Sequence, residues 1–119
     1  MKSVFIAGSR KFFEEIEDLI HVLKQNKINV KTAGKGTMAG DTLETEKMAL
    51  LTAFKNIMES NVCYVYSKDG YIGKTVAMEI AYAYARKKEI ISSHKIDELS
   101  AQALVSKIIK PEKLAKYCI

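Results

Sequence analysis

The sequence contains little cysteine and no long apolar run, and each shortage excludes a class of protein. Cys63 and Cys118 are the two cysteines in 119 residues, and neither they nor the two histidines show the spacing of a disulfide framework or a metal site. No apolar run approaches the roughly 20 residues of a membrane-spanning helix. The apolar stretch near the N-terminus, Val4–Ala7, is shorter than the ~7–15 residues of a secretory signal core. We therefore expect a cytoplasmic protein with no metal site and no membrane contact.

The rest of the composition is that of one globular domain over residues 1–119. Hydrophobic residues make up 48% of the chain and charged residues 28%, which supplies enough apolar surface for a core. The net charge of +5 suits an anionic small-molecule ligand such as a phosphate ester. Because the lysines are scattered among acidic residues, we do not expect a nucleic-acid-binding surface.

Strand-like apolar runs alternate with segments of helical periodicity. Strands are predicted at residues 3–7, 28–33, 61–66 and 89–92, and helices at residues 12–26, 42–59, 74–87 and 96–109. Asp41 or Thr42 caps the second helix, the last helix ends before Pro111, and residues 110–119 form a tail or an edge strand. The expected fold is α/β: a flavodoxin- or Rossmann-like three-layer sandwich with four to five parallel strands in the order 2-1-3-4(-5).

In this order the loops after the first and third strands lie side by side, where open α/β sheets bind ligands. Gly8-Ser9-Arg10 follows the first strand and opens a helix. The glycine lets backbone N–H groups approach an anion at the helix N-terminus, and Ser9 and Arg10 add donors. The alternative is an ordinary turn in which Ser9 caps the helix. A second glycine-rich segment, Gly34–Gly40, follows the second strand.

The loop after the third strand, Asp69–Gly73, continues into Lys74-Thr75 and so ends like a P-loop. A P-loop has four residues between its glycines, whereas two residues separate Gly70 from Gly73, so we do not expect an ATPase or a GTPase. Tyr71 in this loop is a candidate for stacking on a base.

Glu79 is an acidic residue on the apolar side of the third predicted helix. At about 100° per residue, it lies near Val76 and Ala83, on the side that packs against the sheet. A carboxylate buried there is costly unless something uses or satisfies it. Glu79 is therefore either a functional residue or a boundary residue that reaches solvent or the preceding loop.

Two motifs resemble the nucleoside 2-deoxyribosyltransferase-like superfamily. The first is Val4-Phe5-Ile6-Ala7-Gly8-Ser9-Arg10, which precedes a helix. The second and more specific motif is Asp69-Gly70-Tyr71-Ile72-Gly73-Lys74-Thr75 with Met78-Glu79-Ile80-Ala81-Tyr82-Ala83. It looks most like a little-characterised branch that carries Gly-Tyr-Ile-Gly-Glu-Ser and then Glu-Ile-Ala-Tyr-Ala. The resemblance covers residues 3–92.

The resemblance implies an enzyme that cleaves or transfers at the N-glycosidic bond of a nucleoside or nucleoside monophosphate, without a metal or a cofactor. Glu79 matches the family's nucleophile, which attacks the anomeric carbon and forms a glycosyl-enzyme intermediate. It also implies a homodimer or a larger assembly built from dimers. The residues that would hold the sugar or its 5′-phosphate, or shape the pocket, are Gly8, Ser9, Arg10, Gly70, Tyr71, Gly73 and Thr75.

Two residues depart from the family pattern. Asn61 stands where members often carry an aspartate that assists proton transfer to the base, and Phe5 stands where many carry a tyrosine that orients the nucleophile. Asp69 is the candidate for the missing acid. The departures favour, as the alternative function, a non-catalytic nucleotide-binding or sensor domain. A phosphoribohydrolase of the lysine-decarboxylase-like type fits less well, because its Pro-Gly-Gly-x-Gly-Thr loop is absent.

Overall fold

The computed structural model describes residues 1–33 and 40–119, in which strands and helices alternate. The strands are β1 Val4–Gly8, β2 Val30–Thr32, β3 Val62–Tyr66, β4 Glu89–Ser92 and β5 Lys107–Ile108. The helices are α1 Phe13–Gln25, α2 Leu43–Met58, α3 Lys74–Ala85, α4 Leu99–Leu104 and α5 Pro111–Cys118. Two 3-10 turns, Arg10–Phe12 and Lys68–Gly70, precede α1 and α3. The predicted glycine-rich segment lies outside the described residues except for Gly40.

The five strands form one parallel sheet in the order β2-β1-β3-β4-β5, which confirms the predicted topology. In the register of the sheet, Phe5 lies opposite Cys63, and Cys63 lies opposite Ile90. Successive residues of a strand point to opposite faces, so these three side chains share one face.

Helices cover both faces of the sheet, and the predicted three-layer sandwich is confirmed. One core cluster joins residues of β1 and β3, such as Ile6 and Tyr64, to Leu23 of α1 and Leu114 of α5. The other cluster lies on the opposite face, where α2, α3 and α4 pack. Its main members are Phe5, Ala7, Cys63, Val65, Ala53, Ile57, Ile80, Ala83 and Ala101. The continuous apolar runs of the strands follow from this burial on both faces.

The predicted helix over residues 96–109 is found only over Leu99–Leu104, so the prediction is wrong for residues 96–98 and beyond Leu104. The backbone N–H of Ser106 donates to the Ile90 carbonyl at 2.8 Å and that of Ile109 to the Ser92 carbonyl at 2.9 Å, so the chain continues as strand β5. The apolar residues here recur at a spacing that suits a helix, and periodicity alone could not reveal the change. The edge of β4 offers backbone partners to an extended segment, and this pairing ends the helix.

The prediction of a tail or an edge strand for residues 110–119 is also wrong, because Pro111–Cys118 is helix α5. Pro111 occupies the start of this helix, where its missing N–H costs nothing. Leu114 and Cys118 lie one turn apart and are both buried. They complete the core beside α1.

The other predicted elements are found within two residues of their expected ends. Thr42 is confirmed as the cap of α2: its side chain accepts from the Thr45 N–H, and the Thr45 hydroxyl accepts in return from the Thr42 N–H. Over the described ranges, no helix combines the length and apolar character that crossing a membrane requires.

Candidate active site

A cavity of about 560 Å³ opens at the carboxyl ends of β1 and β2 and extends to the start of α3. Its volume lies within the roughly 300–1,000 Å³ of small-molecule sites. A site was expected between the loops after the first and third strands. The cavity is lined by the turn after β1 and by residues from Gly73 onward after β3, and it also extends to the β2 side, where α1 and α2 line it. The residues that line it, from β1 through α3, are Ile6, Gly8, Ser9, Arg10, Phe13, Ile16, Glu17, Ile20, Thr32, Ala33, Leu43, Glu46, Lys47, Ala49, Leu50, Gly73, Lys74, Thr75, Val76, Met78 and Glu79.

The Gly8-Ser9-Arg10 segment forms one wall of the cavity. Gly8 packs tightly, because a Cβ at this position would lie 2.6 Å from Cδ1 of Ile16. The Ser9 hydroxyl accepts a hydrogen bond from the Lys11 N–H at 3.1 Å and so caps the following 3-10 turn. Arg10 is exposed and makes no salt bridge with any residue of the described ranges. Its guanidinium is therefore available to an anionic ligand.

The opposite wall of the cavity is the first part of α3. Gly73 is the residue just before this helix and provides no side-chain cap, so the N–H groups of the first turn are available to an anion or a polar ligand. Lys74 and Thr75 follow at the cavity surface. The predicted pocket residues Gly73 and Thr75 and the Gly8-Ser9-Arg10 turn are thus brought together around one space.

Glu79 lies on the side of α3 that packs against the sheet, and its side chain lines the cavity while only 2% of the residue is exposed. Burial raises the pKa of Glu79 from about 4.5 to about 7. No residue of the described ranges donates a hydrogen bond or a salt bridge to this carboxyl. Burial, assisted by the nearby Glu79 carboxylate, also raises the pKa of the Cys63 thiol. Glu79 therefore lies in surroundings where an ionised carboxylate is poorly solvated.

Asp69, Gly70 and Tyr71 do not line the cavity. Asp69 is exposed, in the 3-10 turn after β3. The Gly70 carbonyl accepts from the Asp97 N–H at 3.0 Å, which ties this turn to the chain after β4. Tyr71 packs edge-on against Phe12, with centroids 6.3 Å apart, and the Lys11 ammonium lies 4.7 Å above its ring. These contacts hold the loop beside the cavity.

The two departures from the family pattern lie in different places. Phe5 is fully buried in the core cluster under α3, on the sheet face that Glu79 approaches. Asn61 lies at the amino end of β3, whereas the cavity lies at the carboxyl ends of the strands. Its Oδ1 accepts from the Ser3 N–H at 2.8 Å and from the Ser3 hydroxyl at 3.0 Å. The amide of Asn61 thus joins two strands and takes no part in the cavity.

Sequence reasoning missed the contribution of α2 to the site. Glu46, Lys47 and Leu50 line the cavity from this helix, and Glu17 does so from α1. Their positions depend on how α1 and α2 pack across the sheet edge, which the helical pattern alone does not give. Besides the predicted residues, two further carboxyls, those of Glu17 and Glu46, and two lysines, Lys47 and Lys74, therefore line the cavity. Among the described residues, no group of acidic, histidine or cysteine side chains could hold a metal ion.

Solved structures with the same fold include a 2-deoxyribosyltransferase from Bacillus psychrosaccharolyticus, with a TM-score of 0.72, 12% identity, and coverage of 97% of this chain and 91% of that chain. The Clostridium botulinum CMP N-glycosidase BcmB has a TM-score of 0.61 and 18% identity over 98% of this chain and 97% of that chain. A conserved protein from Enterococcus faecalis V583 has a TM-score of 0.69 and 16% identity over 98% and 96%. No family model and no curated protein matches the sequence. The predicted resemblance to the nucleoside 2-deoxyribosyltransferase-like superfamily is therefore confirmed at the level of the fold.

Proposed function

We propose that this protein belongs to that superfamily and cleaves or transfers at the N-glycosidic bond of a nucleoside or nucleoside monophosphate, with Glu79 as the nucleophile. The observation that carries the proposal is the position of Glu79, a buried carboxyl that opens into a ligand-sized cavity. Two proteins with the same fold are named as a deoxyribosyltransferase and a CMP N-glycosidase. Arg10 and the first turn of α3 are placed to hold a phosphate or a sugar hydroxyl.

In the proposed reaction, the Glu79 carboxylate attacks the anomeric carbon as the C–N bond to the base breaks. The bonding electron pair leaves with the base, which takes up a proton, and a glycosyl ester of Glu79 remains. Water, or a second base in a transfer reaction, then displaces the ester oxygen and restores the carboxylate. A carboxylate nucleophile suits the oxocarbenium-like transition state of such reactions. Because Asp69 lies outside the cavity, Glu17 and Glu46 are the better placed sources of the proton.

The test is the release of free base from a panel of ribo- and deoxyribonucleosides and their monophosphates, followed by chromatography. We expect wild-type protein to release base from one class of substrate and Glu79→Gln to lose at least about 100-fold in kcat, because the amide cannot attack. Glu14→Gln, at an exposed residue of α1 that does not line the cavity, is the matched control and keeps wild-type activity. Equal turnover by wild type and Glu79→Gln would contradict the assignment of the nucleophile.

The same assay across pH tests the protonation state of Glu79. A nucleophile must be ionised, so kcat/KM should rise with pH with a midpoint near 7, where burial places the pKa of Glu79. A rate that falls through this range would indicate that the protonated carboxyl is the active form, and Glu79 would then be an acid rather than the nucleophile.

The second candidate function is a non-catalytic nucleotide-binding or sensor domain. It is favoured by Phe5, which supplies no hydroxyl beneath α3, and by the position of Asp69 outside the cavity. This function predicts that a nucleotide raises the melting temperature while no base is released over long incubation.

A further inference from the structure

Tyr71 is an exposed aromatic ring that reaches both walls of the cavity from outside. It is 43% exposed, and it does not line the cavity itself. Phe12, a buried residue of the turn after β1, packs edge-on against it with ring centroids 6.3 Å apart. At the other wall, a Cβ added to Gly73 would lie 3.7 Å from the Tyr71 hydroxyl. We call this place, formed by Lys11, Tyr71 and Gly73, the rim of the cavity.

Tyr84, on α3, provides the comparison within the same molecule. It is 58% exposed, and among the described residues no ring stacks on it and no cation lies over it. Tyr84 is therefore an ordinary surface tyrosine. Tyr71 differs, because the fold fixes its ring against Phe12 and the ammonium of Lys11 lies 4.7 Å from its centroid. An exposed ring beside a cation is the combination that binds the base and the phosphate of a nucleotide.

Positive charge lies on both sides of the rim. Arg10 and Lys74 line the cavity, whereas Lys11 lies outside it. None of these three cations makes a salt bridge within the described part of the chain. Arg10 and Lys11 are neighbours in one 3-10 turn, and the uncapped N–H groups of α3 follow Gly73. An anion at the rim therefore meets donors from inside and from outside the cavity.

We propose that the substrate is a dinucleotide, in which a phosphodiester or a pyrophosphate joins two nucleosides; this inference rests on the proposed function. The nucleoside whose glycosidic bond breaks lies in the cavity at Glu79. The linking phosphate lies at the rim with Arg10 and Lys11, and the second base stacks on Tyr71. The reaction at Glu79 is unchanged, because the second nucleoside serves only for binding. A mononucleotide in the cavity would leave the ring of Tyr71 uncovered.

The test is ligand binding by the Glu79→Gln variant in isothermal titration calorimetry, which requires no turnover. The ligands are AMP, the methyl ester of its phosphate, the phosphodiester dinucleotide ApA and the pyrophosphate dinucleotide diadenosine diphosphate. We expect at least one dinucleotide to bind about tenfold more tightly than AMP and than the methyl ester, because a stacked base adds binding energy. The methyl ester has the charge of a linked phosphate without a second base. The dinucleotide that binds more tightly identifies the source, a nucleic-acid strand or a free dinucleotide.

Further variants in the Glu79→Gln background locate the second base. Tyr71→Ala should lower the dinucleotide affinity about tenfold and the AMP affinity much less, whereas Tyr71→Phe should retain both. Lys11→Ala should lower the dinucleotide affinity about threefold. Tyr84→Ala is the matched control and should bind every ligand like its parent, and circular dichroism checks the folding of each variant.

Two results would overturn the proposal: dinucleotides that bind no better than AMP, or a Tyr71→Ala loss that is equal for AMP and for the dinucleotide. The failure of the proposed function is a different result. Tight dinucleotide binding that depends on Tyr71, without base release by the wild-type protein, would contradict the glycosidic reaction and leave the dinucleotide site supported.

Discussion

Glu79 combines a proposed chemical role with an expected stability cost. Its carboxyl is ionised in the unfolded chain above about pH 4.5, whereas burial raises the pKa of Glu79 in the folded state to about 7. The folded state therefore binds a proton more tightly than the unfolded state, and stability falls as the pH rises between these two values. From the two pKa values the full cost is roughly 3 kcal/mol. Such costs are found where a carboxyl is kept in an apolar site for its reactivity.

Replacing Glu79 by glutamine should remove this dependence. Glu79→Gln is expected to gain stability relative to wild type as the pH rises from 4.5 to 7, with a gain of about 3 kcal/mol above that range and little difference below it. Urea unfolding at a series of pH values measures the difference. Ala77→Ser, on the exposed side of the same helix, introduces no titrating group and should differ from wild type by the same amount at every pH. A Glu79→Gln gain that does not change with pH would contradict the buried, ionisable state of this carboxyl.

At the scale of single elements, the sequence predicted best where local chemistry and tertiary contacts agree. Thr42 and Thr45 cap α2 through their own side chains, so the local sequence is enough to predict where this helix begins. The region after α4 is different, because the spacing of its apolar residues is shared by a helix and by a short helix followed by a strand. The choice depends on hydrogen bonds from Ser106 and Ile109 to the edge of β4, which are contacts between distant parts of the chain.

The turn between β3 and α3 has a conformational requirement at Gly70. Its φ of +78° lies in the left-handed region, and a Cβ there would lie 2.4 Å from Oδ1 of Asp97. Gly70→Ala should therefore lose about 1–2 kcal/mol of unfolding free energy from the backbone strain. Gly73→Ala is the matched control: Gly73 has a φ of −86°, and a Cβ added there would lie 3.7 Å from the Tyr71 hydroxyl, an ordinary contact distance. Equal losses in the two variants, measured by urea unfolding, would contradict this explanation.

At the scale of the whole molecule, the order of the strands and the existence of a site at their carboxyl ends could be predicted, because alternating strands and helices leave few topologies. The predicted residues Gly8, Arg10 and Glu79 do line one cavity. The contribution of α2 to the cavity could not be predicted, and neither could the position of Asp69 outside it. Both depend on how the helices and loops pack at the carboxyl ends of the strands. The motifs identify the elements that meet, while packing decides which of their side chains face the space between them.

The role of α5 is a property of the whole fold. Eight residues are too few for a stable isolated helix, so α5 depends on burying Leu114 and Cys118 beside α1. Leu114→Ala should cost about 2–5 kcal/mol, as for other fully buried leucines. Leu99→Ala, where the leucine is 74% exposed, should cost at most about 0.5 kcal/mol. Urea unfolding of both variants measures the difference. A small loss of unfolding free energy for Leu114→Ala would contradict the view that the packing of α5 stabilises this core.

The two ends of the described chain lie together on the side of the molecule where the amino ends of the strands lie. The backbone N–H of Lys2 donates to the Cys118 carbonyl at 2.8 Å, and the Tyr117 hydroxyl, bonded to Glu89, lies close to Lys2 and Lys107. The cavity opens on the opposite side, at the carboxyl ends of the strands. A peptide tag, a fluorophore or an attachment to a solid support placed at either end therefore leaves from the side of the molecule that faces away from the cavity. Both ends are thus suitable handles for immobilising the protein with its cavity open to solution.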